Sequence, residues 1–203
     1  SGKIFCNSVP VHVNATAKYG DVISVSIDFD EENDNVIPED IELDIIYEDE
    51  YLIAVNKQAD IVVHPTCSHP KGTVANGLVY HLNQQGINKK IRPVSRLDRD
   101  TTGVIIFAKN EFIQEQLIRQ MKNKTFQKEY FGVVHGIVEN AHGTINLPIE
   151  RKPGSIMLRH ISESGSVSIT HYEVVSYLDN ATFLKFFLET GRTHQIRVHC
   201  QAI

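Results

Sequence analysis

The apolar residues of this 203-residue chain fall in short segments, and their spacing limits the folds open to it. Most segments have the length of a strand, and only two show the three-to-four-residue spacing of an amphipathic helix. The pattern predicts helices over 73–82 and 110–121, and strands over 22–27, 44–47, 51–56, 104–108, 126–134, 156–159, 167–178 and 182–188. Because strands and helices do not alternate as repeated βαβ units, we predict an α+β fold and not a doubly wound sheet.

Nothing in the sequence indicates a membrane or secreted protein. No apolar run approaches the roughly 20 residues that a transmembrane helix needs, and the first residues lack the pattern of a signal peptide. The three cysteines, Cys6, Cys67 and Cys200, are far apart and odd in number, which favours reduced thiols over a disulfide framework. We therefore expect a cytoplasmic protein with no membrane partner.

The charge of the chain is distributed unevenly. The formal net charge is −5, yet the stretch from Asp28 to Glu50 holds twelve acidic residues and no basic one. The rest of the chain therefore has 13 of the 25 acidic residues against all 20 lysines and arginines, a net charge of +7. A basic surface apart from an acidic strip is compatible with binding the phosphates of a nucleic acid. The acidic strip itself is typical of a solvated surface.

Asp98 lies in the run Arg-Leu-Asp-Arg-Asp-Thr-Thr-Gly over residues 96–103, directly before the apolar run 104–108. Arginines flank this carboxylate on both sides, and opposite charge nearby favours its ionised form. An ionised aspartate can be a nucleophile, a base or one partner of a salt bridge. By itself the run is also compatible with a surface turn that holds only local ion pairs.

The same residues also match the Asp-x-Asp-x-Thr nucleophile motif of magnesium-dependent phosphatases of the haloacid dehalogenase type. That motif should end an apolar strand, whereas here the apolar run follows it. The last forty residues hold only three isolated acids, Glu173, Asp179 and Glu189, to complete a magnesium site. A phosphatase therefore stays open as an alternative, and so does an RNA-binding protein without catalytic activity.

Four segments taken together resemble the RNA pseudouridine synthases of the ribosomal large-subunit type. The run 95–103 resembles their second signature, and 191–199, Gly-Arg-Thr-His-Gln-Ile-Arg-Val-His, resembles their third. Between them, 128–136 resembles the family's Lys-x-Tyr element. Upstream, 51–58 and 62–65 resemble the opening of the catalytic domain. The four matches occur in the family's order, which makes the resemblance specific.

The resemblance implies the chemistry of pseudouridine formation, which breaks the C1′–N1 bond of uridine and rejoins the base through C5. It implies Asp98 as nucleophile, Tyr130 as the residue that stacks on the base, and Arg197 as the counter-ion of the aspartate. Ser95 and Thr102 depart from the usual His and Ser, but neither occupies the nucleophile's position. The further substrate-binding residues that it implies are Arg96, which fills the gap left by the flipped base, and Arg99, Thr101, Lys128, Arg192, His194 and Gln195.

The resemblance also implies an architecture. We expect a pseudouridine synthase fold, a mostly antiparallel mixed sheet with flanking helices and a central RNA-binding cleft. In that cleft, Tyr130 and Arg197 converge on Asp98. Residues 1–30 resemble the end of a small ribosomal-protein-type RNA-binding domain, and 31–203 the catalytic domain, which would continue past Ile203. We expect a monomer that needs no protein partner.

The reaction requires neither cofactor nor metal, because no redox change occurs and no group enters. Two segments nevertheless contain possible metal ligands. The segment from His64 to His69 has histidines and a cysteine, but their spacing fits no strong zinc pattern. The acids from Asp28 to Glu39 partly match a calcium loop, but Asn33 stands where its glycine is needed. We therefore predict that the chain binds no metal.

Overall fold

A computed structural model describes residues 3–26, 36–155 and 157–203 of the chain. The chain divides into two compact units, Ser1–Ile118 and Arg119–Ile203. Helices and antiparallel sheets occur together in it, so the predicted α+β class is confirmed. Within the described part of the chain, no helix is both long and apolar enough to cross a membrane.

The N-terminal segment forms a three-stranded antiparallel sheet in the order β2-β1-β3, with β1 at Ile4–Cys6, β2 at Val9–Pro10 and β3 at Ile23–Val25. Asn7 and Ser8 join β1 to β2, and both have positive φ, as a two-residue hairpin turn requires. The predicted half-buried strand over 22–27 is wrong in its burial, because all three residues of β3 are exposed. Ile27, and the predicted domain boundary between residues 30 and 31, lie outside the described residues.

The rest of the first unit is a four-stranded antiparallel sheet in the order β4-β5-β7-β6, packed with α1. The elements are β4 Ile45–Glu48, β5 Leu52–Lys57, α1 Val74–Gln84, β6 Arg92–Pro93 and β7 Gly103–Ala108. Thr73 caps α1 with a reciprocal capping box to Asn76. The apolar side of α1, including Leu78 and Leu82, packs on Ile53, Val55 and Phe107 of the sheet. This core supports the β6–β7 connection, in which Asp98 lies.

Helix α2, Glu111–Lys122, follows β7, and the division between the units falls within it. Asn110 caps this helix, since its Oδ1 accepts a hydrogen bond from the Ile113 amide at 2.8 Å. The helix agrees with the one predicted over 110–121. None of its residues is buried. The regularly spaced apolar residues therefore mark the side of the helix that is partly shielded from solvent, not a core face.

The second unit contains a four-stranded antiparallel sheet in the order β8-β13-β12-β9, a separate β10–β11 hairpin and a short helix. The elements are β8 Glu129–His135, β9 His142–Asn146, β10 Ile149–Arg151, β11 Arg159–Ile161, β12 Ile169–Leu178, β13 Ala181–Leu188 and α3 Gln195–Cys200. Buried Ile145, Tyr172, Leu184 and Phe186 form the core. Tyr130 and Ile196 pack against it, so β8 and α3 are fixed to one cluster.

Two predicted strands differ from the structure. The run 104–108 was expected to be buried throughout, but Val104 is 60% exposed while Ile105 and Phe107 are buried. The predicted strand 156–159 is displaced, because β11 begins only at Arg159 and exposed Met157 and Leu158 precede it. Ile156 lies outside the described residues. In both segments, some of the apolar residues stay exposed because they do not pack into the core.

Candidate active site

Asp98 lies in a tight turn between β6 and β7. The Thr101 amide donates a hydrogen bond to the Asp98 carbonyl at 3.1 Å, which closes the turn, and Asp98 itself is half-buried. Gly103 then starts β7 with a φ of +117°, a conformation that side chains disfavour. The local sequence Asp-Arg-Asp-Thr-Thr-Gly thus bends the chain sharply before it enters the core. Asp98 therefore lies on the turn that leads into β7.

Lys57 lies beneath this turn. It is not among the site residues that the sequence predicted. It ends β5, is only 1% exposed, and pairs in the sheet with Gly103. Its Nζ donates to the carbonyl of Arg99 at 2.7 Å, that of Gln58 at 2.8 Å and that of Ile61 at 3.0 Å. An ammonium has three protons, so these three carbonyls satisfy it fully. Lys57 therefore fixes the backbone one residue after Asp98.

The charge of Lys57 is coupled to the same turn. Burial lowers the pKa of the Lys57 ammonium, and the negative charges of Asp100 and Asp98 oppose that shift. In the sequence, Lys57 is only a lysine at the end of an apolar strand. Lysines are usually exposed, so this position gave no indication of a buried charge.

The other predicted site residues of the first unit line the same turn. Arg96 and Arg99 are exposed, and Thr101 is half-buried. The Arg99 guanidinium forms ion pairs with Asp100 at 3.2 Å and Asp60 at 3.5 Å. Exposed pairs of this kind contribute little stability.

In the second unit, β8 carries Tyr130 and is preceded by Lys128. Tyr130 is half-buried, faces Phe186 of β13 in the sheet, and packs on the core of this unit. Lys128 lies beside Gly191, where an added Cβ would be 3.2 Å from its Nζ. Burial lowers the pKa of the Lys128 ammonium. The structure thus brings Lys128 next to the start of the 191–199 run.

Gln195 is the structural centre of that run. It is 3% exposed, and its Oε1 accepts hydrogen bonds from the Thr190 hydroxyl at 2.8 Å and the Arg192 amide at 3.0 Å. Its Nε2 donates to the Ile169 carbonyl and the Thr170 hydroxyl, both at 3.0 Å. All four hydrogen-bonding positions of the amide group are therefore engaged within the protein, and Gln195 shapes the loop that enters α3.

His199 continues this hydrogen-bond network through Thr170, whose hydroxyl contacts both Gln195 and His199. Its Nδ1 lies 2.9 Å from the Thr170 hydroxyl, and its Nε2 lies 2.9 Å from the Leu147 carbonyl. A carbonyl can only accept, so Nε2 carries the proton and Nδ1 accepts from the hydroxyl. Burial lowers the pKa of His199, although its bond to Leu147 opposes the shift. The imidazole is therefore a neutral structural group, not a metal ligand or a base.

The state of His199 predicts how stability depends on pH. Because the pKa of His199 is lower in the folded protein, the unfolded chain takes up the proton first as pH falls below about 6.5. The unfolding free energy should therefore decrease with falling pH there, by up to about 1.4 kcal/mol per pH unit from this residue. Urea unfolding of His199→Gln between neutral and mildly acid pH should show a shallower dependence. The exposed-site control His142→Gln should keep the wild-type slope, and equal slopes for all three proteins would contradict the assignment.

The remaining predicted residues lie around the start of α3. Arg192 and Arg197 are exposed, and the Arg192 Nε donates to the Val167 carbonyl at 3.2 Å. His194, at the N-cap, has a left-handed backbone with φ of 57°, which is unusual for a residue other than glycine. The convergence of Tyr130 and Arg197 on Asp98 joins residues of the two units and stays a prediction, as does the central cleft.

The structure argues against a phosphatase site at Asp98. Only the two-residue β6 precedes the turn, and the apolar strand β7 follows it, opposite to the order that the phosphatase motif requires. Among the residues that the structure describes, no three His, Cys, Asp or Glu side chains are grouped so that they could hold a metal. His69 instead hydrogen-bonds Ser68 in its exposed turn.

Comparison with known proteins agrees with this geometry. Residues 51–202 match the family described as RNA pseudouridylate synthase. The chain is 37% identical to the uncharacterized RNA pseudouridine synthase YjbO of Bacillus subtilis, covering 98% of this chain and 70% of that protein. It is 44% identical to ribosomal large subunit pseudouridine synthase D of Buchnera aphidicola, covering 80% of this chain and 52% of that protein.

A solved structure shares the fold. Human RNA pseudouridylate synthase domain containing 1 superposes with a TM-score of 0.64 at 25% identity, over 79% of this chain and 65% of that one. The fold, the family match and the relatives thus define an isomerase that acts on RNA. The chain belongs to the RNA pseudouridylate synthase family. The predicted pseudouridine synthase fold and enzyme class are confirmed, and the comparisons give no support to the phosphatase or to a non-catalytic RNA-binding protein.

Proposed function

We propose that Asp98 is the nucleophile with which this protein converts uridine to pseudouridine in RNA. The observation that carries the proposal is the half-buried carboxylate on a turn that buried Lys57 fixes from below. A carboxylate is suited to attack or stabilise the electron-poor C1′ of the ribose. Cleavage of the C1′–N1 bond frees the uracil, and C5 then bonds to C1′. The proton leaves C5, and N1 gains one, so atoms balance without a cofactor.

Tyr130 and Arg197 complete the proposed catalytic set. The phenol ring of Tyr130 offers a flat face for stacking on the uracil, and its hydroxyl can relay the C5 proton. Arg197 is exposed on α3, and a guanidinium can bind a carboxylate through two hydrogen bonds. We assign to it the counter-ion role for Asp98.

The other predicted residues are assigned to RNA contacts, with one exception. Arg96 takes the space of the flipped nucleotide, because a stacked base cannot otherwise be reached. Gln195, whose amide is fully engaged within the protein, positions the loop instead of touching RNA. The residues assigned to direct contact with RNA phosphate, sugar or base are Arg99, Thr101, Lys128, Arg192 and His194.

We propose large-subunit ribosomal RNA as the substrate, with transfer RNA as the second candidate. The support is the name of the Buchnera relative, a ribosomal large-subunit enzyme that is 44% identical over most of this chain. The unpaired state of Cys6, Cys67 and Cys200 supports a cytoplasmic location. We further propose that the protein acts as a monomer.

Tritium release from RNA labelled at C5 of uridine tests this function, because the C5 proton is lost in the reaction. In vitro transcripts of large-subunit ribosomal RNA should release tritium, and transfer RNA transcripts should release far less. Carbodiimide labelling of the product, read by reverse transcription, should place the pseudouridine at one or a few uridines. Release from transfer RNA alone would exclude the ribosomal substrate, and no release from any RNA would contradict the function.

A further inference from the structure

Two arginines face each other across the β10–β11 hairpin of the second unit. Arg151 and Arg159 are direct partners in the antiparallel register. Like charges in this position destabilise a strand pair. The Arg159 Nη1 donates to the backbone carbonyls of Leu158 at 3.1 Å and Met157 at 3.2 Å, which holds its side chain near the hairpin. A bound anion would remove the repulsion between the two guanidiniums.

The loop over 162–166 forms a second wall beside this hairpin. Ile149 of β10 and Ser166 exchange backbone hydrogen bonds of 2.9 and 3.0 Å. A Cβ on Gly165 would lie only 2.7 Å from the carbonyl carbon of Ile149 and 2.8 Å from its nitrogen. The loop can therefore lie this close to β10 only because residue 165 is glycine. Its close approach places Ser164 and Ser166 next to the arginine pair.

Arg192 supplies a third guanidinium. It lies in the loop that leads into α3, and its bond to the Val167 carbonyl fixes its orientation. Arg151, Arg159 and Arg192 together line a cavity of about 300 Å³, with Ser164 and Ser166 among the other lining residues. Helix α3 packs against β11, so the cavity adjoins the helix that carries Arg197.

One carboxylate also lines the cavity. Glu150 accepts a hydrogen bond from the Ser164 hydroxyl at 3.0 Å and lies 3.5 Å from His160. Hydrogen bonds from Ser162 and Ser164 hold the pKa of Glu150 below its usual value, so it stays ionised at neutral pH. Three guanidiniums against this single carboxylate leave the cavity with two net positive charges.

We infer that this cavity binds a phosphate group of the RNA backbone. The inference rests on the proposed function, since it takes RNA as the substrate. Planar guanidiniums bind phosphate oxygens through paired hydrogen bonds, and the Ser166 hydroxyl adds a polar group. Arg151 and Arg192 are exposed, so a phosphate that remains part of a strand can reach the cavity. The site holds the RNA backbone instead of reading bases.

The salt dependence of RNA binding tests the inference. The probe is an in vitro transcript of large-subunit ribosomal RNA, measured by filter binding over a range of potassium chloride concentrations. Arg151→Gln/Arg159→Gln should weaken binding about tenfold or more. It should also reduce the slope of log K against log salt by roughly 0.7 to 0.9, the value for one lost phosphate contact. The charge-matched control Arg119→Gln/Lys122→Gln, at two exposed basic residues of the same unit outside the cavity, should keep the wild-type slope. Equal loss in this control and in Arg151→Gln/Arg159→Gln would overturn the inference.

Gly165→Ala separates the shape of the cavity from its charge. It leaves net charge unchanged but forces the loop away from Ile149, so RNA affinity should fall as in the arginine variant. Wild-type affinity would show that charge alone matters and would refute the cavity.

Because Gly165→Ala can also lose stability, thermal unfolding provides a second measurement. Inorganic phosphate should raise the Tm of the wild type more than that of Arg151→Gln/Arg159→Gln at equal ionic strength, and equal shifts would overturn the inference.

These outcomes are distinguishable from failure of the proposed function. If the wild type releases tritium from RNA while Arg151→Gln/Arg159→Gln keeps its affinity and slope, only the phosphate cavity is wrong. If Arg151→Gln/Arg159→Gln loses affinity and slope while the wild type modifies no RNA, the cavity stands and the catalytic proposal is wrong.

Discussion

Asp98→Asn should reduce pseudouridine formation by roughly three orders of magnitude or more, because the amide cannot act as an anionic nucleophile. The amide has nearly the same shape, so the turn closed by Thr101 and the contacts of Lys57 should persist. RNA affinity should therefore change by less than about threefold, or rise slightly, since a negative charge beside the RNA is removed. Single-turnover tritium release measures the rate, and filter binding measures the affinity.

Asp100→Asn is the matched control for this variant. Asp100 lies two residues away, is exposed, and forms an ion pair with Arg99. It should keep the rate of tritium release within a small factor of the wild type, because the proposed chemistry needs one carboxylate. The phosphatase motif, in contrast, needs both aspartates, so a phosphatase would lose activity in Asp100→Asn as well. An Asp98→Asn protein that releases tritium at the wild-type rate would falsify the assignment of the nucleophile.

Lys57→Met should separate activity from stability. Methionine fills similar space but removes the donor that fixes the Arg99, Gln58 and Ile61 carbonyls. The lost hydrogen bonds are partly offset because a buried ammonium no longer needs to be desolvated, so the unfolding free energy should fall by only about 1–3 kcal/mol. The rate of tritium release should fall by about 100-fold or more, since a displacement of the Asp98 turn by about 1 Å is enough for that.

The control for Lys57→Met must destabilise the same unit without removing a hydrogen bond to the backbone of the Asp98 turn. Leu78→Ala in α1 does this, since Leu78 is fully buried in the core and its truncation should cost about 2–5 kcal/mol. Measured at a temperature where both variants are folded, Leu78→Ala should keep near-wild-type activity. Equal losses of activity in the two variants would show that Lys57 acts only through stability.

The sequence was sufficient to predict the elements that have strong local signals. The hairpin β4–β5, the helices α1 and α2 and the long strands β12 and β13 all lie within a few residues of the ranges that the apolar spacing predicted. The class of the fold followed from the same pattern. The short elements β9, β10 and α3 were not predicted, because three to six residues hold too little periodicity to distinguish a strand from a turn.

The candidate site was predictable where residues are neighbours in sequence and less so where contacts are tertiary. Asp98, Thr101 and Gly103 form their turn from local bonds, so the motif alone indicated it. Lys57 could not be recognised, because its three carbonyl partners leave no pattern of side chains in the sequence. The resemblance implies Gln195 as a substrate-binding residue, but its bonds to Ile169 and Thr170 could not be predicted, because they form only once β12 is paired.

The Lys57 ammonium, which supports the Asp98 turn, is bound by backbone carbonyls. Lys57 holds the carbonyls of Arg99, Gln58 and Ile61, and none of these contacts depends on which side chains those three residues carry. Position 99 is therefore free to vary in evolution or by engineering without moving the nucleophile. A library of substitutions at residue 99 is therefore a route to altered RNA selectivity with unchanged chemistry. The side chain at this position is assigned to RNA contact, whereas its backbone carbonyl is the atom that Lys57 holds.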